Sequence, residues 1–231
     1  MRVFAIGDLH LDSTKEKPMD IFGDNWSDHE QKIIGSWQRS VSDNDLVLIP
    51  GDISWAMKLE DAKKDLELID SLPGKKVLIR GNHDYWWNTK NKLNNLEFKS
   101  LEFLVNDIYV YNDIVICGVR GWDSYEISSD EDSKKIYDRE LKRFEISLKM
   151  TKSFDCYKIA MLHFPPFNLD KSPNDFVDIM KEYNIDKCIY GHLHGKAGHK
   201  MVSEGCINGI DFLCVSSDYL NFELKEIAIE K

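Results

Sequence analysis

The chain has 231 residues, of which 42% are apolar and 30% are charged, and its formal net charge is −10. These values are typical of a soluble globular protein, and residues 1–231 are predicted to form one domain around one core. An acidic surface repels phosphate backbones and anionic lipids, which disfavours general nucleic-acid binding and membrane docking. The sequence carries no signal for an oligomeric state.

Five cysteines lie mostly within apolar, strand-like runs, and none belongs to a C-x-x-C pair. We expect them to be reduced core thiols of a cytoplasmic protein. Met1 stands directly before the first predicted strand, so no signal peptide is expected, and no apolar run has membrane-spanning length.

The first third of the chain alternates strands with helices, a pattern typical of a parallel sheet covered by helices. Ser27 and Glu30 form a capping-box pattern at the start of the first helix. In such sheets, ligands bind beyond the carboxyl ends of the strands. Strands are predicted over 2–7, 45–49 and 76–79, helices over 28–41 and 59–69, and a surface loop over 8–25.

The remainder of the chain continues this mixture. The last two predicted strands are expected to form a hairpin with Ser216-Ser217-Asp218 near its turn. Ser172-Pro173 predicts a helix start, with serine as the cap. The acidic run Asp130-Glu131-Asp132 is favourable near the start of a long amphipathic helix. Strands are predicted over 114–119, 157–162, 186–190, 210–215 and 222–229, and helices over 86–96 and 128–150.

Five of the predicted strands end directly at residues that bind metal or move protons, and four of these junctions have glycine at the turn. Because residues two apart in extended backbone point to the same side, Asp8 and His10 can converge on one centre, as can His192 and His194. The junctions therefore predict a single site. They are Gly7-Asp8-Leu9-His10, Gly51-Asp52, Gly81-Asn82-His83-Asp84, His163 and Gly191-His192-Leu193-His194.

These junctions offer carboxylate oxygen, amide oxygen and imidazole nitrogen, with no sulfur. Such donors suit Mn²⁺, Fe or Zn²⁺ rather than a thiolate site. Their number exceeds the needs of one ion and indicates two. Two ions about 3.5–4 Å apart can clamp the attacking and leaving oxygens of a phosphoryl displacement.

In content and in order, these blocks resemble the calcineurin-like metallophosphoesterase superfamily over residues 8–194. The resemblance implies an α/β fold, a four-layer αββα sandwich of two mixed sheets, with both C-terminal strands in the second sheet. It also implies two divalent or trivalent ions, with Mn²⁺ favoured and Fe or Zn²⁺ as alternatives. The implied ligands are Asp8, His10, Asp52 and His194 for the first ion, and Asp52, Asn82, His163 and His192 for the second, with Asp52 bridging.

The resemblance further implies that a hydroxide between the ions hydrolyses the phosphate ester of a small phosphorylated substrate. His83 is similar to the histidine that protonates the leaving oxygen, and Arg80 to an arginine that contacts phosphate in the protein-phosphatase branch. Asp84 either orients His83 or caps the next helix. The choice between phosphomonoester and phosphodiester stays open, because the substrate-selecting loops 11–25 and 121–150 match no pattern.

Several neighbouring residues have two interpretations. Arg120 either reaches a phosphate or, as we favour, forms a surface salt bridge, whereas His29 and His199 are not expected to be ligands. The alternative function is a catalytically silent scaffold for protein interaction, although such relatives lack the acid histidine and this chain retains His83. The aromatic residues that follow the motifs either stack on a substrate ring or pack in the core; they are Trp55, Tyr85, Trp86, Trp87 and Trp122.

Overall fold

The computed structural model describes residues 1–124 and 130–229. Its strands are β1 Val3–Ala5, β2 Leu46–Ile49, β3 Lys75–Leu78, β4 Leu101–Phe103, β5 Ile108–Tyr111, β6 Ile114–Val119, β7 Tyr157–Leu162, β8 Lys187–Tyr190, β9 Gly205–Ile207, β10 Ile210–Cys214 and β11 Lys225–Ile227. Its helices are α1 His29–Ser40, α2 Leu59–Ser71, α3 Lys90–Asn94, α4 Glu131–Thr151, α5 Asp175–Glu182 and α6 Gly195–His199, with 3-10 turns at Met19–Phe22 and Asp24–Trp26.

The strands form two mixed sheets. The first sheet has the order β11-β1-β2-β3-β4, and the second has the order β5-β6-β7-β8-β10-β9. Within the first sheet β1 to β4 are parallel, and within the second β6, β7, β8 and β10 are parallel. The antiparallel strands β5, β9 and β11 lie at the outer edges. Each sheet therefore brings the carboxyl ends of its central strands to one edge.

Three apolar layers hold the sheets and helices together. Between the sheets, residues such as Leu48 and Met161 are fully buried. Helices α1 and α2 cover the outer face of the first sheet, where Trp37 is buried, and α4 and α5 cover the second, where Phe144 is buried. Strands covered on both faces are apolar throughout, which explains the unbroken run of β2. The predicted α/β sandwich, αββα in its layers, is confirmed.

Long elements match their predictions better than short ones do. The strands predicted over 114–119 and 157–162 are β6 and β7, and the helices predicted over 28–41 and 59–69 are α1 and α2. The sequence does not predict β4, β5, β9 or α6, because each has five residues or fewer and no clear period. The helix predicted over 86–96 is reduced to the five residues of α3.

The predicted C-terminal hairpin is wrong. β10 pairs with β8 and β9 in the second sheet, whereas β11 pairs antiparallel with β1 in the first. The hairpin partner of β10 is β9, joined through Asn208-Gly209, both with positive φ as a two-residue hairpin turn requires. Alternating hydrophobicity predicts a strand without identifying its neighbour. The sequence therefore indicates two C-terminal strands but not that they belong to different sheets.

The predicted capping box of α1 is also wrong. The N-cap is Asp28, which has a left-handed backbone and makes no side-chain cap hydrogen bond. Glu30 instead accepts the backbone N–H of Asp12 at 2.9 Å. A capping box needs its acidic residue free to bond back to the cap, and here a loop from elsewhere in the chain takes that carboxylate.

Two other helix starts have different outcomes. α5 begins after Asn174, whose side chain caps it, rather than at Ser172-Pro173. Asp130 caps α4, and its carboxylate accepts the N–H groups of Asp132 and Ser133, which satisfies donors at the helix start. The part of this helix predicted over 128–129 lies outside the described residues. Within residues 1–124 and 130–229, no helix is both long enough and apolar enough to cross a bilayer.

Candidate metal centre

Five strands deliver predicted ligands to one edge of the sandwich. The loops that follow the strands of the first sheet are tied together by their backbones. The N–H of Asp8 donates to the carbonyl of Gly51 at 2.9 Å, and the N–H of His10 donates to the carbonyl of Asp52 at 3.0 Å. In chain order, the strand-end ligands are Asp8 after β1, Asp52 after β2, Asn82 after β3, His163 after β7 and His192 after β8.

Four of the seven predicted ligands have a left-handed backbone. The φ angle is 57° at Asp8, 45° at His10, 51° at Asp52 and 73° at His192. Non-glycine residues seldom adopt this region, at a cost of roughly 1–3 kcal/mol each, and they persist where the surrounding structure fixes them. Their concentration at one edge is typical of a functional site.

Two glycines allow the motif loops to approach each other closely. A Cβ at Gly81 would collide with the backbone nitrogen and Oδ1 of Asp52, and a Cβ at Gly191 would lie 2.5 Å from Oδ2 of Asp8. Any side chain at either position would displace a buried carboxylate. The two glycines are therefore part of the site's geometry as well as turn residues.

The first group of ligand atoms surrounds Asp8. Its members Asp8, His10 and His194 each offer an atom within 4.8 Å of the others. Nε2 of His194 lies 3.3 Å from Oδ1 of Asp8. This nitrogen is buried and makes no hydrogen bond to any described residue, which fits an atom that faces a cation.

The second group joins one residue pair from each sheet. Oδ1 of Asn82 lies 2.5 Å from Nε2 of His163 and 3.1 Å from Nδ1 of His192. The two ring nitrogens are 3.3 Å apart, and Oδ2 of Asp52 lies 3.4 Å from Nε2 of His163. Four potential metal-ligand atoms, one from each of these residues, therefore lie close together.

Oδ2 of Asp52 also lies 3.7 Å from Nε2 of His10, a member of the first group. Asp8 likewise lies beside both groups, because Asp8, Asp52 and His163 offer ligand atoms within 4.8 Å of one another. Ligand atoms bound at about 2.0–2.2 Å to one ion lie roughly 3–3.5 Å from one another, which is close to the spacing in both groups. The oxygen and imidazole donors, together with the buried Nε2 of His194 beside Asp8, fit two transition-metal ions.

A family model described as calcineurin-like phosphoesterase matches residues 1–196. The chain belongs to this phosphoesterase family. The family implies a divalent metal cofactor, in agreement with the candidate ligand groups. The chain is also 28% identical, over 109 residues, to the uncharacterized protein MJ1445 of Methanocaldococcus jannaschii. That match covers 45% of this chain and 57% of the relative, so it spans little more than half of the relative's length.

Two solved structures are similar to this chain. The protein of unknown function AQ665 from Aquifex aeolicus is 16% identical, covers 97% of this chain with 95% of its own, and has a TM-score of 0.50. GAP50, the anchor in the inner membrane complex of Plasmodium, is 13% identical, covers 94% of this chain with 71% of its own, and has a TM-score of 0.49. The similarity to AQ665 concerns the fold alone.

Burial and neighbouring charges shift the pKa values of several candidate ligands. Burial and the neighbouring carboxylate of Asp8 raise the pKa of Asp52 to about 8. Burial lowers the pKa of His194, but Asp8 and Asp218 outweigh burial and raise that pKa to about 10. Burial lowers the pKa of His192 to about 3, so its ring is neutral, as a metal ligand must be. Cations bound here would have to displace protons from Asp52 and His194.

Partners outside the ligand groups hold two of the histidines. Nδ1 of His163 lies 3.0 Å from the carbonyl of Pro50, and Nδ1 of His194 lies 2.8 Å from Oδ1 of Asp218. Oδ2 of Asp218 lies 3.1 Å from Nε2 of His199. A carboxylate or carbonyl on one ring nitrogen fixes the tautomer and leaves the other nitrogen free toward a metal.

Sequence reasoning missed Asp218, which it placed near a hairpin turn. The available signal was its position: it follows β10, which is parallel to β8 and so ends at the same edge of the sheet. That signal depends on strand pairing, which the sequence predicted incorrectly. Asp218 is 4% exposed, and its surroundings keep its pKa below the usual value despite burial, chiefly through the hydrogen bond and charge of His194.

His83 lies at the rim of the site. Its backbone N–H donates to Oδ1 of Asp52 at 2.8 Å, and its ring centroid is 4.6 Å from Trp55 and 5.8 Å from His10. The ring is half-buried, and Nδ1 has no hydrogen-bond partner among the described residues. Burial, followed by the nearby His163, lowers the pKa of His83.

Both predictions for Asp84 are wrong. Its Oδ1 accepts the backbone N–H groups of Ile53 and Ser54 and the indole N–H of Trp86, and its Oδ2 accepts the N–H of Gly81 at 2.7 Å. The carboxylate therefore joins two motif loops, and it neither contacts Nδ1 of His83 nor caps α3. Two of its four donors, the N–H groups of Ile53 and Ser54, reach it only in the folded chain.

Arg80 and Arg120 lie together beside the ligand cluster, where both line one cavity. The predicted surface salt bridge of Arg120 is instead largely buried. Its side chain is 13% exposed and lies 3.5 Å from the carboxylate of Glu140, which is 2% exposed. The guanidinium also lies 4.7 Å from the ring centroid of Trp122.

The remaining aromatic and histidine residues mostly pack around the site. Trp55 stacks on His10 at 4.8 Å between ring centroids, whereas Tyr85 is 51% exposed. Trp86 is buried, Trp87 packs on Phe103 and Trp122 packs on Phe164.

His29 is buried, and its Nε2 lies 3.2 Å from the carbonyl oxygen of His10. Neither His29 nor His199 belongs to a ligand group among the described residues.

Proposed function

We propose that this chain is a metal-dependent phosphohydrolase that cleaves a phosphomonoester or a phosphodiester. The observation that supports this proposal best is the position of Asp52, one of whose carboxylate oxygens lies within 3.7 Å of His10 and 3.4 Å of His163. One oxygen between two ligand groups is the arrangement that a pair of ions requires. Membership of the phosphoesterase family supports the same reaction class.

The proposed ligands follow the two groups. Bound there, two ions would supply a nucleophile by lowering the pKa of a water, and would offset negative charge on the phosphate. We favour Mn²⁺, with Fe or Zn²⁺ as alternatives, because the donors are oxygen and imidazole nitrogen. The first ion would be held by Asp8, His10, Asp52 and His194, and the second by Asp52, Asn82, His163 and His192.

Two further residues have proposed roles in the reaction. His83 donates a proton to the leaving oxygen, a role supported by its half-buried position next to Asp52. Because its pKa is lowered, this proton donation weakens as the pH rises above that pKa. Arg80 contacts the phosphate, since it stands two positions before Asn82 and carries a fixed positive charge. Asp84 supports the loop and takes no part in the proton transfer.

The proposed substrate is a small phosphorylated molecule. A net charge of −10 opposes long-range attraction of nucleic acids and anionic membranes, whereas a local cation pair can attract a single phosphate. The described chain has five free cysteines, three of them buried, which supports a reducing compartment such as the cytoplasm.

The test is turnover together with metal content. Purified protein with Mn²⁺ should bind two ions per chain, measured by elemental analysis, and should hydrolyse p-nitrophenyl phosphate or its bis-ester. The ratio of the two rates would separate monoesterase from diesterase activity. Two bound ions without turnover of either ester or of any phosphorylated metabolite would contradict the proposal. A stoichiometric partner covering the ligand edge would then favour the scaffold alternative.

A further inference from the structure

A cavity of about 390 Å³ lies beside the proposed metal centre. Its walls come from the residues that end β3, β4 and β6, from residues 87–89 before α3, and from α4. A Cβ added at Gly118 in β6 would lie 3.0 Å from the side chain of Ile79, so the two sheets face each other closely at this point. The cavity therefore opens between the sheets at the edge that carries the ligands.

The cavity is one strand away from the second ligand group. β6 and β7 are parallel neighbours, with Val119 opposite Leu162, and the next residues are Arg120 and His163. The N–H of His163 donates to the carbonyl of Arg120 at 3.1 Å. Adjacent strands are about 4.8 Å apart, so a small molecule held at the ligand cluster can extend into the cavity.

The cavity is strongly positive in a strongly negative protein. Arg80, Arg120 and Arg143 line it, and Glu140 is the sole acidic residue among the described residues of its wall. Oε1 of Glu140 lies 2.7 Å from Arg143 and 3.5 Å from Arg120, so one carboxylate balances part of the charge of both guanidinium groups. Arg139 lies 3.9 Å from the same oxygen but does not line the cavity.

Two of these guanidinium groups have unused hydrogen-bonding capacity. The Nε atoms of Arg80 and Arg120 are buried and have no hydrogen-bond partner among residues 1–124 and 130–229. Burial, opposed by Glu140 and assisted by Arg80, lowers the pKa of Arg120. Buried donors normally have acceptors, and clustered arginines bind anionic oxygens in bidentate geometry.

We propose that this cavity binds, through Arg120 and Arg143, a second anionic group of the substrate, a phosphate or a carboxylate, while the phosphate to be cleaved lies at the metal centre next to Arg80. The inference rests on the proposed phosphohydrolase function and narrows it. The substrate would be a small molecule with two anionic groups separated by a short linker. An ester with a neutral remainder, such as p-nitrophenyl phosphate, would leave the cavity unused.

Matched pairs of ligands test the inference on the Mn²⁺-loaded protein. Inhibition of p-nitrophenyl phosphate hydrolysis is measured with fructose 6-phosphate and fructose 1,6-bisphosphate, and then with glycerol 3-phosphate and 3-phosphoglycerate. The first pair adds a phosphate and the second adds a carboxylate. In at least one pair, we expect the ligand with two anionic groups to bind about tenfold more tightly than the ligand with one, as two charge-assisted hydrogen bonds allow.

Arg143→Gln is the decisive variant, because this side chain is 43% exposed and its loss should not prevent folding. In this variant, the ligand with two anionic groups should bind at most about twofold more tightly than its partner. Arg139→Gln is the matched control, since it removes the same charge from the same helix beside the same Glu140 but outside the cavity. It should keep the preference, whereas Arg120→Lys, checked for folding by circular dichroism, should reduce it.

The outcomes separate this inference from the proposed function. Absence of a preference in the wild-type protein, or an equal preference in Arg143→Gln and Arg139→Gln, would overturn the inference and leave the phosphohydrolase proposal intact. An equal loss of p-nitrophenyl phosphate turnover and of the preference in Arg143→Gln would assign the cavity to the cleaved phosphate instead. If the wild-type protein cleaves no ester, calorimetry with the same ligand pairs still decides whether the cavity binds a second anion.

Discussion

The two sheets contribute different sets of residues to the candidate metal centre: the first supplies two carboxylates, His10 and Asn82, and the second supplies imidazoles alone. Both carboxylates, on Asp8 and Asp52, follow strands of the first sheet and are almost completely buried. Their positions are set by left-handed backbone and by hydrogen bonds between the loops. Three imidazoles follow strands of the second sheet, and two of them, His163 and His194, are held by partners outside the ligand groups.

This difference indicates a division of tasks. The first sheet buries two neighbouring carboxylates, and burial together with the charge of Asp8 raises the pKa of Asp52. The second sheet supplies nitrogen ligands whose orientation depends on neighbours such as Asp218. Changes in the first sheet should therefore affect whether metal binds at all, whereas changes around the second should alter how tightly it binds.

Asp52→Asn tests the first half of this comparison and should have the largest effect. Losing the shared carboxylate should reduce metal content at both positions together and lower turnover by on the order of 10³-fold. Elemental analysis and p-nitrophenyl phosphate assays measure the two quantities. Asp43→Asn, on the exposed surface, is the charge-matched control. Retention of both ions in Asp52→Asn would refute the bridging role.

The pH dependence of metal binding tests the coupling between the sheets. The pKa of Asp52 is about 8 and that of His194 about 10, so near neutral pH both groups carry protons that metal must displace. Affinity for Mn²⁺ should therefore rise with pH, by about a hundredfold per unit between about pH 6 and about pH 7 if both protons leave. Calorimetry in buffers of different ionisation enthalpy counts the released protons. A pH-independent affinity would contradict this expectation.

Asp218→Asn tests the second half of the comparison. Weakening the partner of His194 should reduce metal affinity by about tenfold to a hundredfold while both ions still bind at high concentration. His199→Gln removes the other histidine contact of Asp218 and leaves His194 in place, so it should change affinity much less. Equal effects of the two substitutions would assign Asp218 a merely structural role.

Asp84→Asn should have the smallest effect on activity. Its carboxylate accepts four N–H groups, and an amide would place a donor against at least one of them. The free energy of unfolding should fall by about 1.5–3 kcal/mol, measured by urea denaturation. Rates on esters with good and poor leaving groups should fall in the same proportion. A selective loss with poor leaving groups would restore the predicted link between Asp84 and His83.

The comparison also separates what sequence patterns can predict from what they cannot. Apolar runs that end in Gly-Asp or Gly-Asn-His identify both a buried strand and the chemistry at its end, because both signals are local. The contacts of Asp84 with Ile53 and Ser54, and of Asp218 with His194, join residues that are 24 or more positions apart along the chain. No local period contains such information.

The sequence by itself determined which residue types stand at the ends of which strands, and with them the oxygen and imidazole chemistry of the site. The tertiary structure alone decided the sheet of β11, the outer support of His194 by Asp218, the structural use of Asp84 and the arginine-lined cavity. The physical reason is that hydrophobic period and turn residues act over a few positions. Strand pairing and packing between the two sheets are chosen by contacts across the whole chain.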